Sequence, residues 1–267
     1  MRGRSLHGRR VLVTRPRAQA ARLAGLLESY GADTVTLPAI EILPPESWIP
    51  LDEAIRALSR FRWIIFTSAN GVAAFHERLA RAALDARNLS GVHVAAIGPE
   101  TANALRRAGI TPDVVPAEYR AEGLVDALGS LAQQGDAVLL VRAAEARNVL
   151  PRALQARGVD VTVVPAYRTG LAPEGASEVR ELLESRRIDA VTFTSSSTIR
   201  GFVKLFGPDV PALLEGVVIA VIGPITADTA AEHGLTVSVM PLEYTVPALA
   251  DAIAGHFEAF PPVALRS

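Results

Sequence analysis

The chain has 267 residues, 49% of them hydrophobic, and a formal charge of −1 from 27 Lys and Arg against 28 Asp and Glu. That apolar content fills a core for one large or two small domains and excludes a disordered chain. The charge balance excludes the global basic field of a nucleic-acid binder, and the lack of cysteine excludes disulfides, thiolate nucleophiles and Cys-ligated zinc.

The elements then follow in chain order. The opening "MRGRSLHGRRVLVTRPR" is basic, but its apolar run, Val11 to Val13, is too short for a signal peptide, so a cytoplasmic location is expected. No apolar run reaches the length of about 18 residues that a membrane span needs. Strands are expected at Val11 to Thr14, Asp33 to Leu37, Trp63 to Thr67, Val94 to Ile97 and Asp113 to Val115. A second series follows at Ala137 to Arg142, Val161 to Val164, Ala190 to Thr194, Val218 to Ile222 and Thr236 to Met240. Helices are expected to start near Ala18, Asn70, Thr101, Gly123, Asn148, Ser197, Thr226 and Pro247. Gly31, Gly109, Gly158 and Gly234 stand where left-handed caps belong.

The two series are one pattern written twice. "VLVTRP" (11–16) matches "VLLVRA" (138–143), and "FTSANGVAAF" (66–75) matches "FTSSSTIRGF" (193–202), both at an offset of 127 positions. "VAAIGPETANALRRAG" (94–109) matches "IAVIGPITADTAAEHG" (219–234) at an offset of 125. The expected fold class is therefore α/β, with two similar parallel-sheet domains from an internal duplication. The proline-rich stretches "LPAIEILPPESWIP" and "VPAYRTGLAPEG" occupy equivalent points and read as extended linkers between them, with a contiguous split near position 130 as the alternative.

Ligands of parallel α/β sheets sit beyond the carboxyl ends of the strands, where helix N-termini offer backbone N–H groups. Those ends carry Thr67 to Asn70, Gly98 to Thr101, Thr194 to Ser197 and Gly223 to Thr226, which are small, hydroxylated and suited to carboxylates or phosphates. Taken singly, Ser68, Asn70 and Thr101 are ordinary cap or first-turn residues; four such ends favour an anion-binding cleft. Arg15 and Arg142 hold matched positions after the first strand of each copy, as surface residues or as partners for a ligand carboxylate. Tyr167 lies in "PAYRT", where the first copy has Ile40, and this break in symmetry points to specialised use. Lys204 and the five scattered histidines read as structural or solvated, and no dinucleotide or P-loop glycine motif follows any strand.

The ordered set "VLVTRP", "FTSANGV", "AAIGPETANAL", "PAYRT", "FTSSST" and "AVIGPITADTA" resembles the uroporphyrinogen-III synthase family from about Val11 to Ile253. The resemblance implies a monomer of two flavodoxin-like domains joined by a two-stranded linker. Residues 1–37 and 169–267 would form one domain, and 38–168 the other with its linkers. It implies cyclisation of hydroxymethylbilane, a carboxylate-rich linear tetrapyrrole, with loss of water and inversion of ring D through a spiro intermediate. No metal or organic cofactor is implied, nor any nucleic acid or membrane, and transient contact with hydroxymethylbilane synthase is expected. By match to the family motifs, Tyr167 would assist departure of the hydroxyl. Ser68, Thr101, Ser195 and Thr226 would bind substrate carboxylates, with Asn70, Ser196, Ser197, Arg15 and Arg142 as further candidates. Pro99 and Pro224 are expected to shape helix starts. A non-catalytic two-domain anion- or tetrapyrrole-binding protein, or a ligand-sensing module, is the rival reading.

Overall fold

The computed structural model describes residues 5–129 and 131–260. The strands are β1 (Arg10–Val13), β2 (Asp33–Thr36), β3 (Ile40–Leu43), β4 (Trp63–Phe66), β5 (His93–Ala96), β6 (Ala137–Ala143), β7 (Asp160–Leu171), β8 (Ala190–Phe193) and β9 (Val218–Val221). The helices are α1 (Arg17–Ser29), α2 (Ile49–Arg56), α3 (Ala69–Arg81), α4 (Pro99–Arg107), α5 (Ala121–Ala127) and α6 (Val149–Ala156). They continue with α7 (Ala176–Glu184), α8 (Ser196–Phe206), α9 (Val210–Leu213), α10 (Pro224–Glu232) and α11 (Val246–Ala259). Contacts divide the chain into two compact units, residues 1–41 with 170–267, and residues 42–169. The contiguous split near position 130 is thereby corrected.

In the first unit the sheet order is β2-β1-β8-β9, all parallel. Its strands β1, β8 and β9 are buried on both faces, because side chains alternate across the pleat, while β2 at the edge is exposed or half-buried. Leu12, Val191 and Phe193 enter one apolar cluster with α7 and α8, while Val11, Val13 and Ala190 enter another with α1 and α11. In the second unit the order is β3-β7-β6-β4-β5, with β7, β6, β4 and β5 parallel. Ile64 and Phe66 face a cluster that includes Phe75 and Leu105, and Trp63 and Ile65 face one that includes Leu124 and Leu154. Both boundaries between the units fall inside strands, within β3 and within β7.

Most expected elements recur within one or two residues, and Gly31, Gly109, Gly158 and Gly234 all have positive φ. Three helices were not anticipated: α2, α7 and α9. α2 begins inside a stretch expected to be an extended linker, and Pro50 and Pro211 stand in the first turns of α2 and α9, where a missing N–H costs nothing. The expected strands at 113–115 and 236–240 shrink to single bridges, Val114 to Ala95 and Val239 to Ala220. Pro116 and Pro241 follow them closely and cannot donate to a ladder.

Candidate functional site

In the second unit, β4 ends at Phe66 and the chain turns through Thr67 into α3. Ser68 is the N-cap, in extended backbone, and its Oγ accepts from Gly71 N at 3.0 Å. Tyr167 arrives on β7 with its hydroxyl beside the side chains of Ser68 and Asn70.

The face that Tyr167 presents depends on a register shift. Along β7, Val161 and Val163 pack with one cluster while Val164 and Ala166 pack with the other. Strict alternation would send Tyr167 with Val161 and Val163. Between Arg142 and Ala143 the register with β6 jumps from Pro165 to Tyr167, and the tyrosine joins Val164 and Ala166 on the α3 side. Burial pushes the Tyr167 phenol above its ordinary pKa, the Ser68 and Asn70 side chains pull it back in part, and the Glu145 charge adds to the rise. The phenol therefore stays protonated across the neutral range.

At the neighbouring strand end Gly98 caps α4, Pro99 is the first helical residue, and Thr101, in the first turn, is buried. Arg142 is only 8% exposed, and its two terminal nitrogens donate to Arg147 O (2.9 Å) and Asn148 Oδ1 (2.8 Å). Burial lowers its pKa, yet a guanidinium remains charged at neutral pH. In this position it braces the loop after β6, which also carries Glu145, whose Oε1 accepts from Thr169 N.

The first unit repeats the arrangement with different partners. Ser195 caps α8, accepting from Thr198 N while Thr198 Oγ1 accepts from Ser195 N, a reciprocal capping box. Ser195 and Ser197 hydroxyls lie 2.9 Å apart, and Ser196 Oγ accepts from Thr229 Oγ1 at 2.7 Å. Gly223 and Pro224 open α10, whose Thr226 is buried. Arg15 follows β1 and donates to Gln19 Oε1 at 3.0 Å. The second unit thus brings together Ser68, Asn70, Tyr167 and, through its loop, Arg142, while Ser195, Ser196 and Ser197 gather in the first.

Sequence reasoning missed Glu145, Thr229 and a pair of tyrosines, Tyr119 and Tyr244. The tyrosines could have been found, because "PAEY" (116–119) and "PLEY" (241–244) continue the 125-residue offset. Nothing in the pattern signals Glu145.

The family described as "Uroporphyrinogen-III synthase HemD" matches residues 21–251. The chain belongs to the uroporphyrinogen-III synthase family. It is 36% identical over 255 residues to a uroporphyrinogen-III synthase of Synechococcus elongatus, covering 93% of this chain and 95% of that one. A Chlorobaculum parvum uroporphyrinogen-III synthase is 33% identical over 248 residues, covering 91% and 97%. The fold is similar to that of a mutant uroporphyrinogen III synthase from the extremely thermophilic bacterium Thermus thermophilus, with a TM-score of 0.70, 23% identity and coverage of 94% and 99%. Family membership assigns the chain the lyase activity of porphyrin and heme biosynthesis. No helix among the described residues is long and apolar enough to cross a membrane.

Proposed function

We propose that the chain converts hydroxymethylbilane into uroporphyrinogen III, with Tyr167 as the group that assists departure of the terminal hydroxyl. The observation that carries this role is the Tyr167 phenol, held protonated by burial and seated on Ser68 and Asn70 at the start of α3. Water leaves more readily than hydroxide, so a hydrogen bond or proton from the phenol lowers the barrier to the electrophilic azafulvene. The substituted carbon of ring D then attacks to form the spiro intermediate, and rearrangement delivers the inverted ring. A phenol is a weak acid, so its absence slows this step without abolishing it.

The remaining demand is geometric: the unsubstituted carbon of ring D must be denied the attack. Each 1.4 kcal/mol of discrimination is worth about tenfold between isomers, and fixed carboxylates supply such orientation. Thr101, Thr226, Ser195, Ser196 and Ser197 are buried or engaged in hydrogen bonds within their own unit. In this reading they act mainly by shaping helix starts whose backbone N–H groups take the carboxylates. Arg142 braces the 143–148 loop of its own unit, and Arg15 supplies positive charge beside β1.

The repeat supports an origin by duplication with exchange of halves. β1 and β2 of the first copy join β8 and β9 of the second, and β4 and β5 join β6 and β7, in the same strand order. In this reading β3 and β7 serve as the two-stranded linker, residues 1–37 with 169–267 form one domain and 38–168 the other, and the enzyme is a cytoplasmic monomer. The deciding experiment supplies freshly generated hydroxymethylbilane and separates the oxidised uroporphyrin isomers. Isomer III in excess over the isomer I formed without enzyme is expected. Isomer I alone, from folded protein, would overturn the proposal in favour of a binding protein.

A further inference from the structure

Gly98 and Gly223, the N-caps of α4 and α10, have φ of −172° and −177°. Any residue adopts such extended backbone, so conformation does not demand glycine at either point. Space does. A Cβ on Gly98 would lie 3.2 Å from Tyr119 Cβ and 3.4 Å from its Cγ, and one on Gly223 would lie 3.1 Å from Tyr244 Cγ and 3.2 Å from its Cδ1. Each tyrosine ring lies against the bare backbone from which its helix starts.

The rings are held by the same device in both units. Val114 O accepts from Ala96 N and Val239 O from Val221 N, both at 2.9 Å, which ties each loop to the strand that feeds its Gly-Pro. Each tyrosine is then the middle residue of a tight turn, with Arg120 N donating to Glu118 O and Thr245 N to Glu243 O, both at 2.8 Å. A surface tyrosine left over from drift would keep neither the turn nor the contact in both copies. Tyr119 is 39% exposed although its flank touches Gly98, so the ring spans helix start and solvent.

We infer that Tyr119 and Tyr244 are positioning residues, whose rings fix the Gly98-Pro99 and Gly223-Pro224 helix starts in the orientation that receives substrate carboxylates. This rests on the proposed role of those helix starts. They act through the glycines and take no part in bond making, so their loss weakens substrate binding and blurs the choice of attacking carbon.

The test is made on the full chain, with wild-type isomer III production established first, so that a failure of the enzymatic reading is seen separately. Tyr119→Ala and Tyr244→Ala are expected to raise KM about tenfold and to increase the share of isomer I, with kcat within about threefold of wild type and the melting temperature little changed. Tyr119→Phe and Tyr244→Phe are expected to restore most of the loss. Gly98→Ala and Gly223→Ala, which push the ring away while keeping it, are expected to reproduce the defect. In the Tyr119→Ala background Gly98→Ala should add nothing, because the ring it collides with is gone. Unchanged KM and isomer ratio in the alanine variants, or fully additive effects in the double variant, would overturn the inference. If the tyrosine-to-alanine variants do not fold, the single glycine variants decide it alone.

Discussion

The two units share the order of four strands, the helix starts and the capping serines, yet they part where the chain leaves the sheet. Where the second unit has Tyr167, the first has Ile40, 4% exposed and packed on α8 so closely that a Cβ on Gly201 would fall 2.4 Å from Ile40 Cγ2 and 2.6 Å from Ala39 O. The same exit from the sheet is an apolar seal in one unit and a seat for a protonated phenol in the other. The hydroxyls follow suit: Ser195 pairs with Ser197 and Ser196 with Thr229, whereas Ser68 and Asn70 turn to Tyr167. A duplicated scaffold can thus concentrate chemistry in one copy and keep the other for holding.

The sharpest way to break this comparison is Tyr167→Phe. Loss of a positioned proton donor is worth about a hundredfold, so kcat for isomer III should fall by about that amount while the fold survives. Stopped assays across pH offer a check of sign. The raised phenol pKa means that the wild-type rate should show no tyrosine-dependent fall until above about pH 10, and an earlier fall would argue against a protonated Tyr167.

Next in size is Gly201→Ala, which inserts a methyl group against backbone. It should cost about 1–3 kcal/mol of stability, read as a lower denaturation midpoint, with turnover per folded molecule retained. Ala74 holds the equivalent place in α3, so the penalty belongs to the unit that carries Ile40. The caps come third. Ser68→Ala and Ser195→Ala should each cost about 1 kcal/mol of stability, but only Ser68→Ala should also slow turnover, by about three- to tenfold, and raise the Tyr167 pKa.

Much of this was legible in the sequence. Continuous apolar runs such as "WIIF" read as strands because a parallel sheet buries both faces, and Ser68 read as a helix cap because few residues cap so well, while the same role of Ser195 came only from the structure. Tyr167 stood out by comparison with Ile40, yet its orientation did not, because the register shift opposite Arg142 is a matter of pairing between strands distant in sequence. Arg142 offered only a charge, and its engagement with Arg147 and Asn148 depends on the path of a loop. The helices α2 and α7 went unread for a local reason, since proline and glycine at their starts look like interruptions until the first turn is seen to tolerate them.

Those two helices give the smallest predicted difference. α2 is braced to α3 by Asp52 and Arg78, a bidentate pair beneath Trp48, and the Arg78 hydrogen bonds hold the Asp52 carboxyl below its ordinary pKa. α7 is joined to α8 instead by Arg180, which donates to Phe206 O and lies over the Phe206 ring. A carboxyl with a depressed folded pKa stabilises above its unfolded value and loses that contribution as pH falls through the folded one. Hydrogen exchange below about pH 4 should therefore loosen α2 relative to α7, and Asp52→Asn should remove the pH dependence of that difference.

The position of the unit boundaries inside β3 and β7 bears on how the chain is made. Residues 42–169 are contiguous, so everything their sheet needs has been synthesised before the last third of the protein is translated. The opening strands must wait: Val11 pairs with Ala190, and β1 cannot find its second neighbour until β8 has been synthesised. With non-local pairing as the slow step, the internal unit folds early and the amino-terminal segment joins the carboxyl-terminal one afterwards. Released chains truncated near residue 180 should already protect the middle segment from protease while leaving the first strands open to it.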